Sequence, residues 1–218
     1  MWRIFKIIAQ KLYQPIIAKR IGRGDNYEYD GITLFIPAGV FHPRYFFSTK
    51  YLLSELKKLN LVNKRFLELG AGNGLISISA AKHGAQVTAS DISELVVKTL
   101  KQNALDNNVS IQIIKSDLFN QIPKQTFDII AINPPYYPKQ ARNDLEMAWY
   151  CGVNFEYFHV LFSQIKGYMD TSSLVLMVLS DGCDIPKITS IAKTNGLSFT
   201  LFHQQKIWWE KEFIFRIQ

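Results

Sequence analysis

The sequence predicts one α/β domain, a mostly parallel sheet with helices on both faces. Three observations predict it. A buried apolar strand runs through a Gly-rich turn into a helix over residues 64–81. Two later strands each end in an acid, Asp91 and Asp117, and strands alternate with helices as far as Ser180. Such sheets bind ligands beyond the carboxyl ends of their strands, and all the distinctive residues fall at that edge.

The elements follow in chain order. From Met1 to Gln14, Trp2, Phe5, Ile8, Ala9 and Leu12 share one helical face and Arg3, Lys6, Gln10 and Gln14 the other, with Pro15 ending the pattern. The net charge is +7, and residues 1–23 hold six bases and no acid, leaving nineteen bases against eighteen acids elsewhere. The basic character is therefore an N-terminal feature. It suits a helix that docks its apolar face on the domain, or one that meets an anionic partner such as RNA or a membrane surface. Asp30-Gly31 is a turn into an edge strand, Ile32 to Pro37. Aromatics crowd the segment Ala38 to Thr49, which either closes over a ligand as a lid or packs on the core. A helix, Lys50 to Leu59, follows with Ser48 or Thr49 as its cap.

After the strand-turn-helix of residues 64–81 come a strand at Ala85 to Asp91 and a helix at Ser93 to Asn107 with Leu95, Val96, Leu100 and Leu105 inward. Strands at Ser110 to Asp117 and Phe127 to Asn133 precede a helix at Glu156 to Met169, a buried strand at Ser173 to Ser180 and a helix at Ile185 to Lys193. Leu197 to Phe202 and Glu212 to Ile217 read as two last strands around Trp208 to Lys211. No apolar stretch approaches the ~20 residues that cross a bilayer and no signal peptide is visible, so a soluble, cytoplasmic protein is expected. Cys151 and Cys183 form no short-spaced pair and the four histidines lack ligand spacing, so no metal is expected.

The chemistry concentrates in two places. Gly70, Gly72 and Gly74 let a backbone approach a ligand closely ahead of a helix N-terminus, and Asp91 follows Gly70 at about the spacing where a carboxylate meets ribose hydroxyls. Leu75 stands where a dinucleotide fingerprint would place its third glycine. At the end of another strand, Asn133-Pro134-Pro135-Tyr136 offers carbonyl acceptors, two residues without N–H donors and a flat ring. That combination suits a planar group bearing an NH2. A plain strand stop is the alternative.

Taken in order, Glu68-Leu-Gly-Ala-Gly-Asn-Gly74, Asp91, Asp117 and Asn133-Pro-Pro-Tyr136 resemble the class I S-adenosylmethionine-dependent methyltransferases. The resemblance implies their Rossmann-like fold, a seven-stranded sheet closed by an antiparallel hairpin, with the methyltransferase domain at 64–218 and residues 1–63 as an added N-terminal region. It implies S-adenosylmethionine contacts at Thr49, Glu68, Gly70, Ala71, Gly72, Asn73, Gly74, Asp91, Ile92, Asp117, Leu118 and Asn133, and catalysis at Asn133, Pro134, Pro135 and Tyr136. Together with Pro138 and Ala148-Trp-Tyr-Cys-Gly152, the acceptor run is most similar to the HemK-type glutamine N5-methyltransferases, while Gly39-Val-Phe41 after an Ile-Pro strand resembles ribosomal RNA guanine N2-methyltransferases. The expected substrate is a protein glutamine side chain, in a translation factor or ribosome component, with an rRNA guanine N2 or adenine N6 amine as the alternative and a DNA adenine as a further rival.

Overall fold

A computed structural model describes residues 22–143, 146–207 and 210–218. The expected helix at Met1 to Gln14 lies outside the described residues, as do Trp208 and Trp209. The strands are β1 (Asp25–Tyr29), β2 (Ile32–Ile36), β3 (Arg65–Leu69), β4 (Gln86–Asp91), β5 (Gln112–Lys115), β6 (Ile129–Ile132), β7 (Leu174–Ser180), β8 (Phe199–Ile207) and β9 (Glu210–Ile217). The helices are α1 (Ser48–Leu56), α2 (Leu75–Lys82), α3 (Glu94–Asp106), α4 (Glu156–Gln164) and α5 (Ile185–Thr194).

Seven strands form one sheet in the order β5-β4-β3-β6-β7-β9-β8, parallel from β5 to β7 and antiparallel at β9 and β8. The fold is that of the expected Rossmann-like sheet with its closing hairpin. Chain order reverses on either side of β3, which makes the crevice between β3 and β6 the switch point where such sheets take ligands. Apolar strands β6 and β7 sit at the centre with both faces covered, as their unbroken hydrophobic runs require. One face carries α4 and α5 on Phe158, Phe162, Ile188 and Ile191; the other buries Leu34, Leu52, Leu56 and Leu75 against Phe66, Leu176 and Ile214.

That second cluster shows that β1, β2 and α1 pack directly on the sheet. Ile32 to Ile36 is an edge strand, as its pattern suggested, but of a two-stranded sheet separate from the large one. It pairs with β1 in a separate hairpin, turned by Asp30 and Gly31, both with left-handed φ (56° and 69°), the geometry that matches strand twist. Its other edge is met by α3. Asn103 Oδ1 accepts from Phe35 N (2.9 Å) and its Nδ2 donates to Phe35 O (3.0 Å); Asn107 does the same with Thr33 (3.2 and 2.6 Å). Two amides one helical turn apart thus match two residues two apart on the strand, and together stand in for a neighbouring strand.

This corrects the expected inward face of α3. Val96, Val97 and Leu100 are buried, but Leu95 and Leu105 are 45% and 67% exposed, because the amides occupy the face turned to β2. The expected cap of α1 also differs. Ser48 and Thr49 lie inside the helix, Phe47 occupies the cap position without a side-chain cap bond, and the two hydroxyls turn elsewhere.

Candidate functional site

Sheet register explains why residues far apart in sequence meet. Leu69 pairs with both Ser90 and Ile132, so Gly70, Asp91 and Asn133 emerge side by side from the carboxyl edge. Asp91 pairs with Lys115, which brings Ser116, Asp117 and Leu118 to the same rim. Between them lies a cavity of about 430 Å³, within the range of small-molecule sites. All the expected site residues except Gly74 line it.

The Gly-rich turn is pinned to β4, with Gly70 N and Ala71 N both donating to Ser90 O (2.9 and 2.8 Å). Gly70 and Gly72 have φ of 73° and 52°, and a Cβ built on either would meet no atom within 4 Å, so both face open space beside the backbone. Gly74 serves packing instead. A Cβ there would run into Leu100, so its small size lets α2 start hard against α3. Asn73 ties the turn together: its Oδ1 accepts from Leu75 N (3.1 Å), its Nδ2 donates to Phe41 O (3.1 Å), and its own carbonyl accepts from Asn103 (3.2 Å).

Three acids reach the cavity with different surroundings. Asp91 accepts from Gly72 N and Ser93 N, both at 3.0 Å, which fixes its carboxylate at the edge. Asp117 is exposed on the rim. Glu68 is buried, and that burial pushes its carboxyl up to about 8 although the Ser77 N–H (2.8 Å) and hydroxyl both donate to it. Glu68 therefore anchors the first turn of α2 from beneath the cavity floor, where a helix N-terminus favours an acceptor.

Asn133 is the hinge of the other half. Its Nδ2 donates to Thr49 Oγ1 (3.0 Å) and Ser48 Oγ (3.3 Å), the two hydroxyls that α1 turns toward β6. With both amide protons engaged, Oδ1 is the half of the amide left to accept from a ligand. Pro134 is buried and Pro135 partly so. Tyr136 is partly buried, with burial raising its phenol well above the usual range and its ring 4.7 Å from that of Tyr137.

The aromatic segment after β2 reaches the site, with Gly39, Val40 and Phe41 on the cavity wall. Phe41, Phe46 and Trp149 form a three-ring cluster with centroids 4.5 to 5.3 Å apart, joining that segment to the loop after the acceptor run. Trp149, Tyr150, Cys151, Tyr157 and Val160 also line the cavity and were not expected there from sequence. The Ala-Trp run was the available signal for Trp149; Tyr157 and Val160 lie within an ordinary amphipathic helix. Both cysteines are free, with burial pushing Cys151 up to about 11 and Cys183 up to about 12. Among the described residues no metal-binding group of three or more His, Cys, Asp or Glu occurs, and no helix is long and apolar enough to cross a membrane.

Comparison with known proteins adds the family. Residues 31–149 match the sequence model of the methyltransferase small domain. A Methanocaldococcus jannaschii protein named as a protein N5-glutamine methyltransferase is 42% identical over 113 residues, covering 51% of this chain and 54% of that protein. A release factor glutamine methyltransferase of Streptococcus pneumoniae is 32% identical over 148 residues, 64% of this chain and 51% of that protein. The chain spans about half the length of these relatives. A T. thermophilus 16S rRNA guanine N2-methyltransferase, solved with AdoMet and guanosine, shares the fold at a TM-score of 0.64 and 21% identity, covering 89% of this chain and 50% of that one.

Proposed function

We propose, from the premise that this chain belongs to the methyltransferase small domain family, that it is an S-adenosylmethionine-dependent N-methyltransferase acting on the side-chain amide of a protein glutamine. The observation that carries the reading is the engagement of the Asn133 Nδ2 by Ser48 and Thr49, which leaves Oδ1 to accept from a substrate N–H.

The residues present fit the cofactor. Gly70 and Gly72, beside open space, with Thr49, Glu68, Ala71 and Asn73 would hold its amino-acid half, Asp91 its ribose hydroxyls, and Ile92, Asp117 and Leu118 its base. When bound, S-adenosylmethionine supplies an electrophilic methyl group on a sulfonium. The protein's task is positioning. An amide nitrogen has a delocalised lone pair, so Asn133 Oδ1 and the Pro134 carbonyl accept its two N–H bonds and orient it. As positive charge grows on that nitrogen the same oxygens stabilise it, a contribution of about 3 kcal/mol for one oriented polar group. Tyr136 supplies a wall for the planar amide.

The glutamine acceptor is favoured over a base amine by the two named relatives, and the release factor enzyme makes a translation factor the first substrate to try. Incubation with tritiated S-adenosylmethionine and separated protein, RNA and DNA tests the reading. Label in a glutamine side chain of protein is expected. Label in RNA or DNA would move the acceptor to an exocyclic amine, and no transfer to any fraction would contradict methyltransferase activity.

A further inference from the structure

One cavity-lining group has no place in the scheme above. Tyr157 sits in the first turn of α4 and lines the cavity. The chain reaches it through a constrained turn: Phe155, the residue before the helix, has a left-handed φ of 63°, a conformation that bulky side chains rarely adopt. Tyr157 N then donates to Cys151 O (3.1 Å), and Phe155 is buried in the core beneath.

Tyr157 is half-buried, its ring standing edge-on to Phe158 at 5.3 Å. Burial pushes its hydroxyl far up, and the charges of Asp91 and Asp117 push it the same way, so it stays protonated and is a donor. Both carboxylates therefore act on one hydroxyl. Yet the hydroxyl makes no hydrogen bond to any other described residue, and it belongs to the wall of the cavity. A cavity-wall donor without a protein partner is available to a ligand or to water.

We infer that Tyr157 is a cofactor-contacting residue, its hydroxyl donating a hydrogen bond to the adenosine half of the ligand between Asp91 and Asp117. The inference rests on the cofactor proposed above. It assigns a specificity role: Asp91 accepts from a ligand hydroxyl, whereas Tyr157 requires a ligand acceptor, such as a ring nitrogen or ribose oxygen, at the same end. A ligand lacking that acceptor leaves the phenol unpaired and is rejected.

Calorimetric titration of the parent protein and of Tyr157→Phe with S-adenosylmethionine and S-adenosylhomocysteine tests it, with Tyr157→Leu as a second variant. Tyr157→Phe is expected to bind both ligands roughly five- to tenfold more weakly, the loss of one hydrogen bond, with an unchanged melting temperature without ligand. Steady-state assays are expected to show a raised KM for S-adenosylmethionine and the parental kcat. Tyr157→Leu is expected to bind at least as weakly as Tyr157→Phe. Equal affinity of parent and Tyr157→Phe, whatever Tyr157→Leu does, would overturn the assigned hydrogen bond while leaving the cofactor reading intact. Absence of binding by the parent itself would overturn both.

Discussion

At the scale of single residues, hydrogen bonds within the candidate site hold its polar groups in place. Asp91 is held by Gly72 N and Ser93 N and so presents one direction to the cavity. Asp91→Ala is expected to weaken S-adenosylmethionine binding tenfold or more, the equivalent of 1.4 kcal/mol or above, measured by calorimetry. Tyr136 is partly buried and places its ring beside that of Tyr137. Tyr136→Phe keeps that ring and is expected to keep most of its turnover in steady-state assays. Glu68 carries a pH signature. Its folded carboxyl titrates at about 8 against an ordinary 4.5, so the folded state binds the proton more tightly. The neutral acid's contribution is fully present below about 4.5 and is lost as pH rises through about 8. Glu68→Gln, which stays neutral, is expected to flatten the fall in stability between pH ~5 and ~8, as denaturant midpoints at the two ends would show.

At the scale of elements, the informative case is α3 against β2. Apolar periodicity placed Leu95 and Leu105 inward because a helix face usually meets side chains. Here part of that face meets the bare backbone of a strand, which demands hydrogen-bonding partners, so Asn103 and Asn107 take the interior positions. The signal was present as two asparagines four apart. It was unreadable without the register of β2. Asn103→Ala strips both partners from Phe35 and one from Asn73 O, and is expected to destabilise the fold by about 2 to 3 kcal/mol in urea unfolding, while Leu105→Ala, at an exposed position, is expected to be nearly neutral. The strand β1 escaped notice for a similar reason: Asp-Asn-Tyr-Glu-Tyr buries only Tyr27, so its sequence carries little alternation.

At the scale of the whole molecule, the site was legible because each of its parts lies at a strand end, where chemistry is unusual and local. Gly70, Asp91, Asp117 and Asn133 could be named before any register was known, and parallel pairing then brought them together. Contributions from loops and helices were not legible. Trp149 and Tyr157 come from a loop and a helix with no strand end to mark them, and Ser48 and Thr49 looked like a helix cap when their hydroxyls were bound to Asn133 across 84 residues of chain. What results is a cavity with two halves, a Gly-rich and acidic half and an acceptor half centred on Asn133. The measurement that separates them is kcat at saturating S-adenosylmethionine for Asn133→Ala, alongside its cofactor affinity. The account predicts a loss of about 100-fold or more in turnover with cofactor affinity changed little; near-parental turnover would contradict the acceptor role on which the proposed chemistry depends.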